Sequence, residues 1–135
     1  MKKVLLLSAG SPCRAIIAEH ILKKYIDDDL DIFFVSAGIE ANNEINPNAI
    51  KILIEEGIDV SKLTSKVLKD VEEIDFDLVF TMCSHSSEKC PNFPKIVPTV
   101  HMEFSVIDNK DEATCKTLVK RIRTKVKPII LKNIQ

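Results

Sequence analysis

The chain has 135 residues, 45% of them hydrophobic, and its 19 basic side chains nearly balance its 20 acidic ones. That size predicts one domain, residues 1–135, with a sizeable core. The near-neutral charge gives no support for binding to nucleic acid or to a membrane surface. No apolar run approaches the roughly 20 residues that cross a bilayer, and the four apolar residues after Lys3 are too few for a signal sequence. We therefore expect a cytoplasmic protein whose four cysteines are reduced at rest.

The first part of the chain alternates apolar strands with amphipathic helices. The apolar run at residues 4–7 predicts a parallel strand buried on both faces. A helix is predicted over residues 15–26, with Ile17 on its buried side and Glu19 on its polar side. Residues 32–35 form the second predicted strand.

A second helix is predicted after residue 45. Asn46 is a favourable N-cap and Pro47 suits the first helical position, whereas Gly57 ends the helix. Its predicted buried face consists of Ile50, Leu53 and Ile54.

The remaining elements continue the alternation. They are a short helix at 68–74, strands at 78–82 and 97–100, and a last helix over 113–127, where Pro128 marks a kink or an end. This order predicts an α/β fold: a three-layer open sheet of four parallel strands with helices on both faces. Ligands of such sheets bind beyond the carboxyl ends of the strands.

The oxyanion loop, defined here as residues 8–14, connects the first strand to the first helix and reads Ser-Ala-Gly-Ser-Pro-Cys-Arg. A helix that starts after such a turn directs unpaired N–H groups and the positive end of its dipole at one point. The guanidinium of Arg14 is suited to a tetrahedral oxyanion, which it can bind through two parallel hydrogen bonds. An ordinary turn with an exposed arginine is the alternative. The predicted oxyanion-binding residues are Ser8, Ala9, Gly10, Ser11, Cys13 and Arg14.

Several short motifs, in order along the chain, resemble the thioredoxin-linked arsenate reductases, which share the low-molecular-weight tyrosine phosphatase fold. The family's loop is Cys-x5-Arg, and residues 8–14 keep that spacing. Further matching motifs are Ala18-Glu19, residues 36–40, Asn46-Pro47-x-Ala49, residues 57–61 and Thr64-Ser65. The most specific motif is Cys83-Ser84-x5-Cys90-Pro91, which resembles the redox segment of the reductases and is absent from the plain phosphatases.

The resemblance implies an arsenate reductase that uses no cofactor. In the reductases the loop thiolate attacks arsenate, a second cysteine releases arsenite, and that cysteine then forms a disulfide with a third, which thioredoxin reduces. The last two roles carry over to Cys83 and Cys90. Arg14 would bind arsenate, phosphate or sulfate.

The sequence departs from the family's pattern around this site. Ser8 stands where the family has its nucleophilic cysteine, and a hydroxyl needs a neighbouring base to attack. Ser11 replaces the loop asparagine, and Ala15 replaces the serine that assists the thiolate. The family's late Asp-Pro is also missing, and Asp108 or Asp111 would replace its aspartate only in a rearranged loop.

Two functions of different class follow from these residues. The first is an arsenate reductase that lacks its nucleophile, either naturally or through a laboratory Cys-to-Ser change. The second is a protein that binds oxyanions or senses thiol redox state without turnover. The departures beyond Ser8 favour a naturally divergent protein, because a single engineered change would leave the rest of the site intact.

The remaining cysteines and the histidines have alternative interpretations. Cys13, beside Arg14, is either a relocated nucleophile or an inert core residue. Cys115 is expected in the core. We assign no metal site, because structural zinc sites have closely paired ligands at both ends. That spacing is missing from Cys83, His85, Cys90 and His101.

Overall fold

The computed structural model describes residues 1–9, 13–39, 45–61, 63–84, 92–104 and 112–134. Its centre is a parallel sheet of four strands: β1 (Lys2–Ser8), β2 (Ile32–Ala37), β3 (Leu78–Cys83) and β4 (Thr99–Glu103). The strands lie in the order β2-β1-β3-β4, so the chain changes direction across the sheet between β1 and β3. Such a switch point opens a crevice at the carboxyl ends of the two central strands. The predicted open parallel sheet is confirmed.

Helices cover both faces of this sheet, but unequally. They are α1 (Cys13–Tyr25), α2 (Pro47–Glu55), α3 (Leu68–Val71), α4 (Glu112–Arg121) and α5 (Lys127–Asn133), together with a 3₁₀ turn at Asp28–Leu30. The larger core joins one sheet face to α1, α2, α4 and α5, whereas the smaller core joins the other face to α3. No helix in the described ranges is both long and apolar enough to cross a membrane.

The start and end of α2 follow from local signals. The side chain of Asn46 accepts a hydrogen bond from the backbone of Asn48, and Gly57 adopts a positive φ of 77° just after the helix. The predicted buried face was partly wrong, because Ile54 is 57% exposed. The buried residues share the i, i+3, i+4 face, and Ile54 lies about 100° beyond it around the helix axis. That face consists of Ala49, Ile52 and Leu53.

Most predicted elements differ from the observed ones by a few residues at one or both ends. The short helix ends at Val71 rather than residue 74. The fourth strand begins at Thr99, because Pro98 has no N–H for the ladder, although its carbonyl accepts from the backbone of Val79. The last helix continues past Pro128 through a π-helical segment, Ile122–Val126, and then α5. The wider π turn accommodates a proline ring that would clash with the preceding turn of a regular α-helix.

Candidate functional site

The oxyanion loop leaves the sheet at the switch point. Ser8 is the last residue of β1 and pairs with Met82 of β3, so that Cys83 follows at the same carboxyl edge. Ser8 is completely buried. The helix α1 begins at Cys13, so its N-terminus faces the edge where β1 and β3 end. The structure therefore combines a helix start and two strand ends, the arrangement in which parallel sheets bind anions.

The side chain of Arg14 connects the backbone just after β1 with the backbone just after β4. Its side chain is only 3% exposed. One terminal nitrogen donates to the carbonyl of Ala9 at 2.7 Å, and the other donates to the carbonyl of Phe104, just after β4, at 3.2 Å. These bonds involve both terminal nitrogens of a group that has five N–H donors. The structure thus places a buried positive charge beside the start of the oxyanion loop.

Cys13 lies in the core rather than on the surface. It is 5% exposed, and its Sγ accepts a hydrogen bond from the backbone N–H of Asn46 at 3.3 Å. The sulfur therefore contacts the N-cap of α2. This position agrees with the core interpretation of Cys13 and disfavours a relocated nucleophile, which has to be reached by its substrate. Cys115 is also a buried thiol, as predicted.

Glu19 was wrongly predicted on the polar side of α1. It is 7% exposed and accepts hydrogen bonds from Ser36 of β2 at 2.5 Å and from Lys23 at 2.6 Å. Burial by itself raises the pKa of Glu19, but the bonds from Lys23 and Ser36 outweigh it and leave the pKa below its usual value. A buried carboxylate with such partners stays ionised and ties α1 to β2 just behind the site.

The Glu19 carboxylate should make folding stability depend on pH. Because its pKa is lowered by folding, its contribution is complete above the unfolded value of 4.5 and is lost as the pH falls through the folded value. We expect Glu19→Gln to lower the free energy of unfolding by about 2 kcal/mol at neutral pH. The difference from the unaltered protein should shrink on acidification below that value. Urea unfolding at neutral and acidic pH measures this difference in the free energy of unfolding. The matched control is Glu55→Gln, at an exposed position of α2. A difference that does not change with pH would contradict the role given to the Glu19 carboxylate.

Cys83 ends β3 beside a polar cluster. Its sulfur is disulfide-bonded, so the prediction that all four cysteines are thiols at rest was wrong for Cys83, and the partner is not among the described residues. The Nδ1 of His101 lies 3.9 Å from that sulfur and 2.8 Å from the hydroxyl oxygen of Thr81. The hydroxyl of Ser84 donates to Glu103 at 3.5 Å. A disulfide-bonded sulfur, an imidazole and two hydroxyls thus share one edge of the sheet.

Other predicted positions lie outside the described residues, so their assignments remain predictions. In the part of the chain that is described, no three His, Cys, Asp or Glu side chains form a group suited to a metal ion. Sequence reasoning missed the contact between His101 and Cys83, because His101 was considered only as a zinc ligand. The undescribed positions are Gly10, Ser11, His85, Cys90, Asp108 and Asp111.

The chain is similar to arsenate reductases in sequence. It is 41% identical over 103 residues to the arsenate reductase of Halalkalibacterium halodurans, covering 76% of this chain and 72% of that protein. It is 36% identical over 127 residues to the arsenate reductase of Bacillus cereus strain 03BB102, covering 93% and 92% of the two chains.

Solved structures show the same relationship. The structure resembles the arsenate reductase of Archaeoglobus fulgidus with a TM-score of 0.80 at 25% identity, over 94% of this chain and 98% of that one. An arsenate reductase in its phosphate-binding state matches with a TM-score of 0.74 at 25% identity, over 98% of both chains. A thioredoxin-dependent arsenate reductase of Corynebacterium glutamicum matches with a TM-score of 0.67 at 25% identity, over 98% of this chain and 63% of that one.

The family model for low molecular weight phosphotyrosine protein phosphatase matches residues 3–117. That range begins in β1 and extends into α4, so it includes all of the sheet except Lys2, together with the oxyanion loop. The relatives named above are arsenate reductases, and the chain belongs to the low molecular weight phosphotyrosine protein phosphatase family.

Proposed function

We propose that this protein binds a tetrahedral oxyanion and exchanges a disulfide with a protein dithiol, but that it does not reduce arsenate. The observation that carries the proposal is the contrast at the carboxyl edge of the sheet. Cys83 is disulfide-bonded there, whereas the neighbouring strand ends in Ser8, whose oxygen replaces the family's reactive sulfur. The chain therefore keeps the cysteine of the redox segment, Cys83, but has Ser8 in place of the cysteine that attacks the oxyanion.

The oxyanion half rests on Arg14 and the helix start. A buried guanidinium lies beside the first residues of the loop, and the N-terminus of α1 adds its dipole. A hydroxyl at position 8 can still donate a hydrogen bond to a bound oxygen. Arsenate, phosphate and sulfate share the tetrahedral shape and negative charge that such a loop recognises, and a structural relative is known in a phosphate-binding state.

The redox half rests on Cys83, and we assign Cys90 as its disulfide partner. The two other cysteines are buried thiols in α1 and α4, which leaves Cys90 within the chain. A thioredoxin-type dithiol reduces such a bond in two steps. One of its thiolates attacks a sulfur of the pair to form a mixed disulfide, and its second thiol then resolves that bond. The dithiol loses two electrons and two protons, and this protein gains two thiols.

Arsenate reduction requires two electrons, which in the reductases come from two cysteine sulfurs joining in a disulfide. The oxygen of Ser8 cannot form a disulfide with Cys83. A hydroxyl is also a far weaker nucleophile than a thiolate at neutral pH. A bound arsenate is therefore expected to leave the loop as arsenate.

This proposal can be tested by coupling the oxidised protein to thioredoxin, thioredoxin reductase and NADPH. We expect a burst of about one NADPH per chain, because one disulfide takes two electrons, followed by no further oxidation whether or not arsenate is present. Cys83→Ser should abolish the burst. Sustained oxidation of NADPH that depends on arsenate, or the absence of any burst, would refute the proposed function.

A further inference from the structure

The imidazole of His101 is the neighbour of the Cys83 sulfur across the sheet. In the register of β3 and β4, Thr81 lies opposite His101 and Cys83 lies opposite Glu103. These four side chains therefore share one face of the sheet, since alternate residues of a strand point the same way. The Nδ1 atom of His101 contacts both the Thr81 hydroxyl and the Cys83 sulfur.

One negatively charged side chain lies on the same face of the sheet as this contact. Three ionisable side chains face this side among the described residues of β3 and β4. They are Cys83, His101 and Glu103. The carboxylate of Glu103, two positions beyond His101 in β4, accepts a hydrogen bond from the Ser84 hydroxyl. The remaining members of this face are the neutral side chains of Val79, Thr81 and Thr99. The ring is exposed to solvent, so it can exchange protons with water.

We propose that His101 is a catalytic residue for disulfide exchange, which stabilises the Cys83 thiolate as it forms, and that Thr81 is the positioning residue that holds the ring against the sulfur. The inference rests on the proposed redox role of Cys83. The dithiol attacks the other sulfur of the pair, the S–S bond breaks, and its electron pair stays on Cys83 Sγ. The Nδ1–H of the imidazolium is then shared between the Thr81 hydroxyl oxygen and that sulfur, and the positive charge of the ring stabilises the new negative charge.

The reactivity of the Cys83 thiol is measurable without arsenate or thioredoxin. Reduced protein is treated with iodoacetamide from about pH 5 to about pH 9, and alkylation of Cys83 is followed by peptide mass spectrometry; only the thiolate reacts. We expect His101→Gln to slow alkylation of Cys83 about tenfold at neutral pH and to move the midpoint of its pH profile upward by about one pH unit, because an imidazolium neighbour is lost. Thr81→Val, which replaces the hydroxyl by a methyl group of similar size, should slow it about threefold.

The matched control is His20→Gln, which makes the same substitution in α1, on the opposite face of the sheet. It should leave the Cys83 profile unchanged. Since His101 is exposed, its replacement should not impair folding, and circular dichroism verifies this; His101→Asn is the second variant. If Cys83 reacts identically in the unaltered protein and both His101 variants, the inference is wrong. A missing NADPH burst alongside a shifted profile would instead refute only the proposed exchange with thioredoxin.

Discussion

Replacing Ser8 by cysteine is expected to turn the chain into an arsenate reductase. Position 8 lies at the end of β1, beside the start of α1 and the buried charge of Arg14, which is the environment that lowers a thiol pKa. A thiolate there can attack arsenate, and Cys83 on the adjacent strand can then displace arsenite. We expect thioredoxin-coupled arsenite formation at least roughly 100-fold above the level of the unaltered protein, because a strong nucleophile replaces a weak one.

Two variants separate this gain from side effects. Ser8→Ala should remain inactive, and Ser8→Cys combined with Cys83→Ser should lose arsenite release.

Ala15→Ser, added to Ser8→Cys, restores the hydroxyl that assists the thiolate in relatives and should raise the rate further. If Ser8→Cys binds phosphate but forms no arsenite, the change at position 8 is not what separates this chain from its relatives.

Replacing Arg14 by alanine is expected to abolish oxyanion binding and to destabilise the fold. The guanidinium supplies the buried positive charge at the loop, and it bonds the carbonyls of Ala9 and Phe104. Removing it leaves both carbonyls without these donors. We expect the free energy of unfolding to fall by about 3 kcal/mol, the typical effect of losing charged hydrogen bonds in a buried position. Calorimetric titration with phosphate should then detect no binding.

Arg121 provides the matched control for Arg14. Its Nη1 donates to the carbonyl of Glu103 at 2.8 Å, and its guanidinium stacks on the ring of Phe104 at 4.1 Å from the ring centre. It thus also bonds the backbone at the end of β4, but it belongs to α4. Arg121→Ala should lower stability by about 1 kcal/mol and leave phosphate affinity unchanged. Equal affinities in the unaltered protein and Arg14→Ala would exclude the oxyanion loop as the binding site.

The features that the sequence predicts well are local. The apolar run that forms β1, the Asn46 cap and the positive φ at Gly57 each depend on a few adjacent residues. The edge strand β4 is harder to predict from the sequence, because three of its five residues are exposed and its apolar pattern is short. The π turn before Pro128 was missed for a related reason. A proline signals a disturbed helix, but whether the helix stops or continues is decided by packing of Ile122, Val126 and Ile130 in the core.

The side-chain partners at the site depend on contacts that are distant in sequence. Glu19 is buried because Ser36, on the neighbouring strand, supplies a donor. His101 contacts Cys83 only because β3 and β4 pair in one particular register. Hydrophobic periodicity assigns a residue to a face of its own helix or strand, but it does not identify the side chains that pack against that face. The motif order and the departure at Ser8 were nevertheless readable from the sequence, and they determine the proposed chemistry.

The claim that position 8 lacks the sulfur needed for arsenate reduction is tested most directly by arsenic speciation in a single turnover. The fully reduced, unaltered protein is mixed with arsenate in the absence of thioredoxin, quenched, and analysed for arsenite. We expect no arsenite above the protein-free background, although arsenate competes with phosphate for the loop. One arsenite per chain, formed together with a new disulfide, would contradict the claim.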